Sequence, residues 1–327
     1  MFPYIVADIG GTNVCLGLVT GRNETNADYK ICKIWSQSTE EFDGLESCLD
    51  AYIATLTGQH PTNACIAIAG PITADRVQMT NQNWEFSISG LRKKFGLKRL
   101  EVINDFAALA YSTLNVSAHN LTVVHAGTPV ADAPRAIIGL GTGLGIAALV
   151  PTAAGWQPVP GEGGHIAFAP YNGKTARILE LIRYDLEYVC AESLLSGPGL
   201  ARLHQALAVI EGRATEALSP EQITTRAIAG TDPACRETLD LVCHLLGRTA
   251  GDISLIYGAR GGVFLGGGIL PRVENILLES TFMDGFQSKG VMRDYLVNVP
   301  VYLMTGQHPA LLGAASWFYD QKPGQKK

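Results

Sequence analysis

The residues able to do chemistry fall into a few short clusters. Near the start, Asp8-Ile9-Gly10-Gly11-Thr12-Asn13 combines an acid, two glycines, a hydroxyl and an amide. Glycines let a backbone approach a phosphate closely, and their N–H groups can cradle its oxygens. Thr12 and Asn13 add neutral donors, and a carboxylate at Asp8 suits the hydrated Mg²⁺ that accompanies a nucleotide. A lone Gly-Gly is more often an ordinary tight turn. Here Asp8 interrupts an apolar run, and carboxylates are rarely buried unpaired, which favours a phosphate site.

A second cluster, Asn104-Asp105-Phe106, closes the apolar stretch Leu100–Ile103. A carboxylate at the carboxyl end of an α/β strand is well placed for a catalytic base. Asn and Asp also cap helices, and the two roles can be divided between the neighbours. Further on, Leu140-Gly141-Thr142-Gly143-Leu144-Gly145 repeats the strand–turn–strand plan of the opening. Leu144 and Ile146 stand where a dinucleotide fingerprint needs its third glycine, so a Rossmann site is not indicated. Pro160-Gly161-Glu162-Gly163-Gly164-His165 offers an acceptor and an imidazole for a hydroxyl-rich ligand. No cysteine or second histidine follows at metal-ligand spacing. Glu192, taken alone, reads as a solvated residue. Gly266-Gly267-Gly268 leaves room for a flat ring or ribose beside the backbone. Gly173-Lys174-Thr175 mimics the end of a Walker loop, but Phe168 replaces the required first glycine.

These clusters need elements to hold them. Tyr4–Ile9 and Val14–Val19 read as a hairpin, and Tyr29–Ser36 as a third strand. Asp43-Gly44-Leu45-Glu46 has capping-box spacing and opens a helix with Leu45, Leu49, Tyr52, Ile53 and Leu56 on one face. Ala64–Ala69 and Leu100–Ile103 read as strands, Val77–Met79 with Trp84–Ile88 as a hairpin or loop, and Ser89–Phe95 as a short helix. Ala136–Leu140 and Leu144–Val150 form the second hairpin, with loop from there to Gly161. Helices are expected over Arg177–Ala191, after a Gly197-Pro198-Gly199 turn, and over Thr225–Ala229, Cys235–Ile256 and Pro309–Asp320. Strands are expected over Gly261–Leu265 and Val299–Leu303, with a frayed tail from Gln321.

The chain has 327 residues, 47% of them hydrophobic, enough for a large core and two domains. A net charge of −5 argues against nucleic acid or an anionic membrane as main partner. Arg92-Lys93-Lys94 and Lys98-Arg99 read as a solvated face. Seven scattered cysteines, with no CxxC pair, indicate neither a disulfide framework nor a zinc knuckle. With the phosphate turn starting by residue 8, no leader is expected before the first strand. The uncharged run 136–161 is broken by Pro151, Pro158, Pro160 and many glycines, so it is no membrane span. The expectation is a cytoplasmic protein.

In this order the motifs resemble the bacterial-type ATP-dependent glucokinases of the hexokinase/actin-like ATPase superfamily. The likeness runs from about Tyr4 to Tyr319 and also includes Met79-Thr80-Asn81 with Trp84, and Leu195-Ser196-Gly197-Pro198-Gly199. The related ROK (repressor/open-reading-frame/kinase) sugar kinases carry a cysteine-rich zinc motif after the Glu…His loop. Here Cys190 stands alone and no helix-turn-helix segment precedes the first strand, so the non-ROK branch is indicated and no structural zinc is expected. The resemblance implies an α/β, two-domain actin-like ATPase (ribonuclease H-like) fold with an interdomain cleft. Residues 1–107 plus 300–327 would form the small domain and 108–299 the large one. It further implies ATP-dependent phosphorylation of D-glucose by a homodimer, with Asp105 as general base. Asn104, Asp105, Gly143, Glu162, His165 and Glu192 would hold glucose. Ala7, Asp8, Ile9, Gly10, Gly11, Thr12, Asn13, Thr142, Gly266, Gly267 and Gly268 would hold MgATP, with Asp8 reaching Mg²⁺ through water. The alternatives are a ROK-like kinase of another hexose and a non-catalytic sugar- or nucleotide-binding sensor.

Overall fold

The computed structural model describes residues 2–23, 28–58, 61–72, 74–79, 83–214 and 216–321. Thr80 and Asn81 of the Met79-Thr80-Asn81 motif, and the tail beyond Gln321, lie outside the described residues. Contacts group the chain into two units. One comprises Met1–Asn120, Ala154–Pro160 and Gly306–Lys327; the other comprises Leu121–Ala153 and Gly161–Thr305.

The first unit is built on β1 (Tyr4–Ile9), β2 (Asn13–Arg22), β3 (Tyr29–Ser38), β4 (Asn63–Ile68), the small hairpin β5 (Arg76–Gln78) and β6 (Glu85–Ser87), and β7 (Arg99–Asn104). Its sheet has the order β3-β2-β1-β4-β7, antiparallel through the hairpins and parallel from β1 to β4 and β7. Helices α1 (Leu45–Thr55), α2 (Ile88–Lys94) and α3 (Asp105–Ser112) follow in turn, and a C-terminal helix spans Pro309–Asp320.

The two-residue period of β1 explains how the site residues are set. Ile5, Ala7 and Ile9 face a core shared with Leu45, Leu49 and Tyr52 of α1. Tyr4 and Val6 face a second core with Ile103, Ala108, Leu311, Ala314 and Phe318. A sheet covered on both faces needs strands that are apolar throughout. Asp8 shares the Tyr4/Val6 face, towards α3. The C-terminal helix closes tightly on α3, and a Cβ at Gly313 would lie 1.7 Å from the Ala108 carbonyl oxygen.

The other sheet comprises β8 (Leu121–His125), β9 (Arg135–Leu140), β10 (Leu144–Thr152), β12 (Val263–Gly266) and β13 (Val301–Met304) of the second unit, with β11 (Gly155–Gly161), which groups with the first unit through Pro160, paired at its edge. Its order is β11-β10-β9-β12-β13-β8. The β9–β10 hairpin is antiparallel, and β12 and β13 run parallel to β9 and to each other. The series β10-β9-β12-β13 thus repeats β2-β1-β4-β7 of the first unit. The repeat expected from the two glycine turns is a repeat of whole sheets. Helices α4 (Gly173–Ile182), α5 (Gly197–Ile210), α6 (Pro220–Ile228) and α7 (Pro233–Tyr257) form the crossover, and α8 (Glu274–Glu279), α9 (Phe282–Gln287) and α10 (Arg293–Leu296) precede β13.

Several expectations are corrected. The capping box of α1 is not Asp43 with Glu46; Gly44 is the cap, its N–H donating to Ser47 Oγ at 3.3 Å. The helix expected at Arg177–Ala191 begins at Gly173 and ends at Ile182, because Ile166–Phe168 and Val189–Ala191 pair as extended chain. Gly197-Pro198-Gly199 is no turn before a helix but the first turn of α5, capped by Ser196. The loop expected up to Gly161 contains β11, and β8 and α8–α10 carried no clear sequence period. The boundaries expected at 107/108 and 299/300 also differ from this grouping. Residues 108–120 group with the first unit, and residues 301–305 with the second, where β13 lies between β12 and β8. No helix among the described residues is long and apolar enough to cross a membrane.

Candidate active site

In the first unit, the β1–β2 turn is closed by Gly10 N–H donating to the Asn13 carbonyl at 2.9 Å. It is braced by Thr39, the residue after β3, whose N–H and hydroxyl donate to the carbonyls of Thr12 (3.0 Å) and Gly11 (3.1 Å). Thr12 and Asn13 are exposed, and Gly10 and Gly11 half-buried. Ala7 and Ile9, expected at the nucleotide, have side chains fully enclosed in the core.

Asn104 ends β7 and caps α3, its Oδ1 accepting from Ala107 N–H at 3.0 Å. Its amide donates to the Gly70 carbonyl at 3.3 Å and to Asp105 Oδ1 at 3.0 Å. Asp105 Oδ1 also accepts from Phe106 N–H at 2.9 Å. Asn104 is therefore the cap, and Asp105 is the carboxylate that its amide orients. The Asn104 amide spends both protons inside the protein, which makes it a brace more than a ligand donor.

Asp8 faces this carboxylate. Burial, and then the Asp105 charge, push its pKa up from 3.8 to about 7. A desolvated carboxylate beside a second one favours an incoming cation, which relieves both costs. Among the described residues no group of three or more His, Cys, Asp or Glu converges to hold an ion. The arrangement fits a cation that brings its own ligands, as a nucleotide-bound Mg²⁺ does.

The second unit assembles a different set. Leu144 N–H donates to Glu192 Oε2 at 2.8 Å, and Glu192 N–H donates to the Gly164 carbonyl at 2.8 Å. Glu192 Oε1 lies 4.0 Å from His165 Nε2. Gly143 must be small here, since a Cβ would come within 2.5 Å of Glu192 Oε2. Glu162 heads the same short turn as His165, accepting His165 N–H on its carbonyl at 3.0 Å. A hydroxyl fits between the Glu192 acceptor and the His165 nitrogen at ordinary hydrogen-bond lengths of about 2.8 Å.

Thr142 and Gly268 line one cavity of about 480 Å³, with Gly141, Gly197, Pro220, Glu221, Thr224 and Arg272 among its other walls. The glycine cluster divides by role. Gly266 is buried within β12; Gly267, at φ +90°, would put a Cβ 2.3 Å from the Leu140 carbonyl oxygen. Nothing lies within 4 Å of a Cβ at Gly268, so the protein leaves open space there. The discarded Walker mimic is accounted for: Lys174 pairs with Glu237 at 2.6 Å and Glu211 at 3.5 Å.

Thr39, Glu221, Thr224 and Arg272 were missed from sequence. Each is an ordinary helix-start or loop residue whose role depends on strands remote in the chain.

The glucokinase family model matches residues 5–321. The chain belongs to the glucokinase family. It is 44% identical over 317 residues to the glucokinase of Saccharophagus degradans, with 97% of this chain and 98% of that one covered. A glucokinase structure from an Antarctic psychrotroph superposes with a TM-score of 0.88 at 39% identity, covering 98% of this chain and all of the other. A ROK-family glucokinase of Streptomyces griseus, described in complex with glucose and AMPPNP, shares the fold at a TM-score of 0.68 and 21% identity, covering 96% and 98%. The fold is that of the actin-like ATPases, and membership of the glucokinase family makes the chain a kinase. The ROK-like and sensor alternatives are not favoured.

Proposed function

We propose that the chain transfers the γ-phosphoryl group of ATP to the 6-hydroxyl of D-glucose. Asp105 is the general base, held on one oxygen by Asn104 and Phe106 N–H. A base aligned with the hydroxyl contributes about 10²–10⁴-fold. MgATP supplies the phosphoryl group and the charge that neutralises Asp8. Asp8 would hold the cation that accompanies ATP, and the turns at Gly10–Asn13 and Thr142–Gly143 would offer N–H and hydroxyl donors to phosphate oxygens. Phosphoryl transfer leaves little more for the protein than such positioning and neutralisation. Gly268 and the cavity around it receive the nucleoside. Glu162, His165 and Glu192 bind sugar hydroxyls, and glucose is expected to be preferred over N-acetylglucosamine and fructose, which alter the paired positions.

The observation that carries this reading is the Asp8–Asp105 pair, one carboxylate oriented by neighbours and the other raised to about 7. A pure binder has no need for a carboxylate beside the reacting hydroxyl. The S. griseus relative, described with glucose and an ATP analogue, supports the substrate pair. A cytoplasmic homodimer belongs to the same proposal through family membership, and sedimentation velocity tests the dimer. The function is tested by ADP release with and without glucose. Glucose-dependent release is expected; no release, or release independent of sugar, overturns the proposal.

A further inference from the structure

The segment before Glu192 contains a buried thiol that the proposed chemistry leaves unused. Cys190 is buried, with its Sγ 3.8 Å from His165 Nδ1 and 3.3 Å from Ser193 Oγ. Backbone pairing fixes it there. Ala167 and Cys190 form an antiparallel bridge, Phe168 N–H donates to the Val189 carbonyl at 3.0 Å, and Ala191 N–H to the Ile166 carbonyl at 2.9 Å. Tyr188 adds a hydroxyl donating to the His165 carbonyl at 2.9 Å. His165 and Glu192 thus lie at the ends of two facing extended segments joined at Ala167 and Cys190, with Cys190 between them in sequence and its sulfur against the imidazole.

Hydrogen-bond bookkeeping gives this arrangement a direction. Ser193 Oγ accepts from Cys190 N–H at 3.1 Å, and its own proton can go to Cys190 Sγ at 3.3 Å. With the hydroxyl turned that way, the thiol proton is left for His165 Nδ1, 3.8 Å from the sulfur. A neutral imidazole that accepts on Nδ1 carries its proton on Nε2. Nε2 is the nitrogen that faces Glu192 Oε1 at 4.0 Å. The pair then presents one donor and one acceptor, the complement of a single sugar hydroxyl. With the other tautomer, two acceptors would meet that hydroxyl and one would go unsatisfied.

We propose that Cys190, backed by Ser193, is a positioning residue that fixes the tautomer of His165, so that Nε2 donates to the sugar hydroxyl that Glu192 accepts. This rests on the reading of His165 and Glu192 as sugar ligands, and the test separates the two. Cys190→Ala and Cys190→Val both remove the thiol, the second while filling its buried space. Steady-state kinetics and ¹⁵N NMR of the imidazoles are measured for both, with His165→Ala and the His165→Ala/Cys190→Ala double variant alongside. Wild type is expected to show a pure Nε2–H pattern for His165, with the Nδ1–H form appearing beside it in both Cys190 variants. Their glucose KM is expected to rise about three- to tenfold, the loss of one modest hydrogen bond, with kcat and MgATP KM within twofold. In the double variant Cys190→Ala should add nothing to His165→Ala. An unchanged imidazole pattern, a wild-type glucose KM, or additive losses would overturn the role of Cys190. A wild-type glucose KM in His165→Ala would instead overturn the sugar-site reading beneath it.

Discussion

Replacing Gly143 by alanine tests the second unit's polar cluster at one atom. Gly143 has no left-handed backbone, so alanine meets no conformational barrier there. Its new Cβ would meet Glu192 Oε2 at 2.5 Å and Cδ at 3.2 Å. The carboxylate is the end of a flexible side chain and half-exposed, so it moves and the backbone stays. Moving breaks the 2.8 Å bond from Leu144 N–H, which holds Oε2 and thereby aims Oε1. A hydrogen bond to a charged acceptor is worth about 1.5–3 kcal/mol, or roughly ten- to a hundredfold in affinity. The displaced Glu192 can be solvated, so little global stability is lost. Initial-rate kinetics should show glucose KM up by about that factor, MgATP KM within twofold and Tm nearly unchanged. A glucose KM within twofold of wild type, or an equal rise in both KM values, would refute the assignment of Glu192 to the sugar.

Asp8 makes the ligand-free protein pH-sensitive. Its folded pKa, about 7, lies above the ordinary 3.8, so the folded state holds more protons between those values. This contribution is fully present below pH 3.8 and is lost as pH rises through 7. Asp8→Asn should therefore raise Tm at pH 8 more than at pH 4.5, and equal shifts in thermal scans would contradict the buried-pair account. By the same linkage, MgATP binding at pH 7 should release protons, which calorimetry in buffers of different ionisation enthalpy reads. Gly267→Ala and Gly268→Ala should part company. The first lowers Tm through its φ of +90° and the Leu140 carbonyl; the second keeps Tm but raises MgATP KM at least threefold, a modest loss of binding energy. Gly313→Ala should cost about 1–3 kcal/mol or more in denaturant unfolding, because backbone of α3 must give way.

What was legible in the sequence was whatever is local. Glycine turns between apolar runs announced both hairpins, and the residues at the end of β7 announced a cap beside a carboxylate, though not which residue was which. The repeated sheet order followed from two similar turns. The helix after Gly173 was misplaced because Arg177–Ala191 keeps a helical composition, while Val189–Ala191 is claimed by pairing with Ile166–Phe168. The α8–α10 stretch is made of helices too short to establish a period. In the site, Asp8 was singled out for breaking an apolar run. Its partner Asp105 stands 97 positions away and meets it only because β1 alternates and α3 packs on that face. Thr39 and Cys190 gave no signal, since bracing a turn or an imidazole demands only a small polar group.

The central claim is that Asp105 takes the proton as phosphoryl transfer occurs. Asp105→Asn keeps Oδ1 as acceptor for Asn104 and Phe106 N–H while removing the base. Single-turnover formation of glucose 6-phosphate should be measured beside glucose Kd in the same preparations. The expected result is a rate lower by at least about a hundredfold, the low end for a general base, with glucose Kd within a few-fold of wild type. A variant that keeps a tenth or more of the wild-type rate would contradict it.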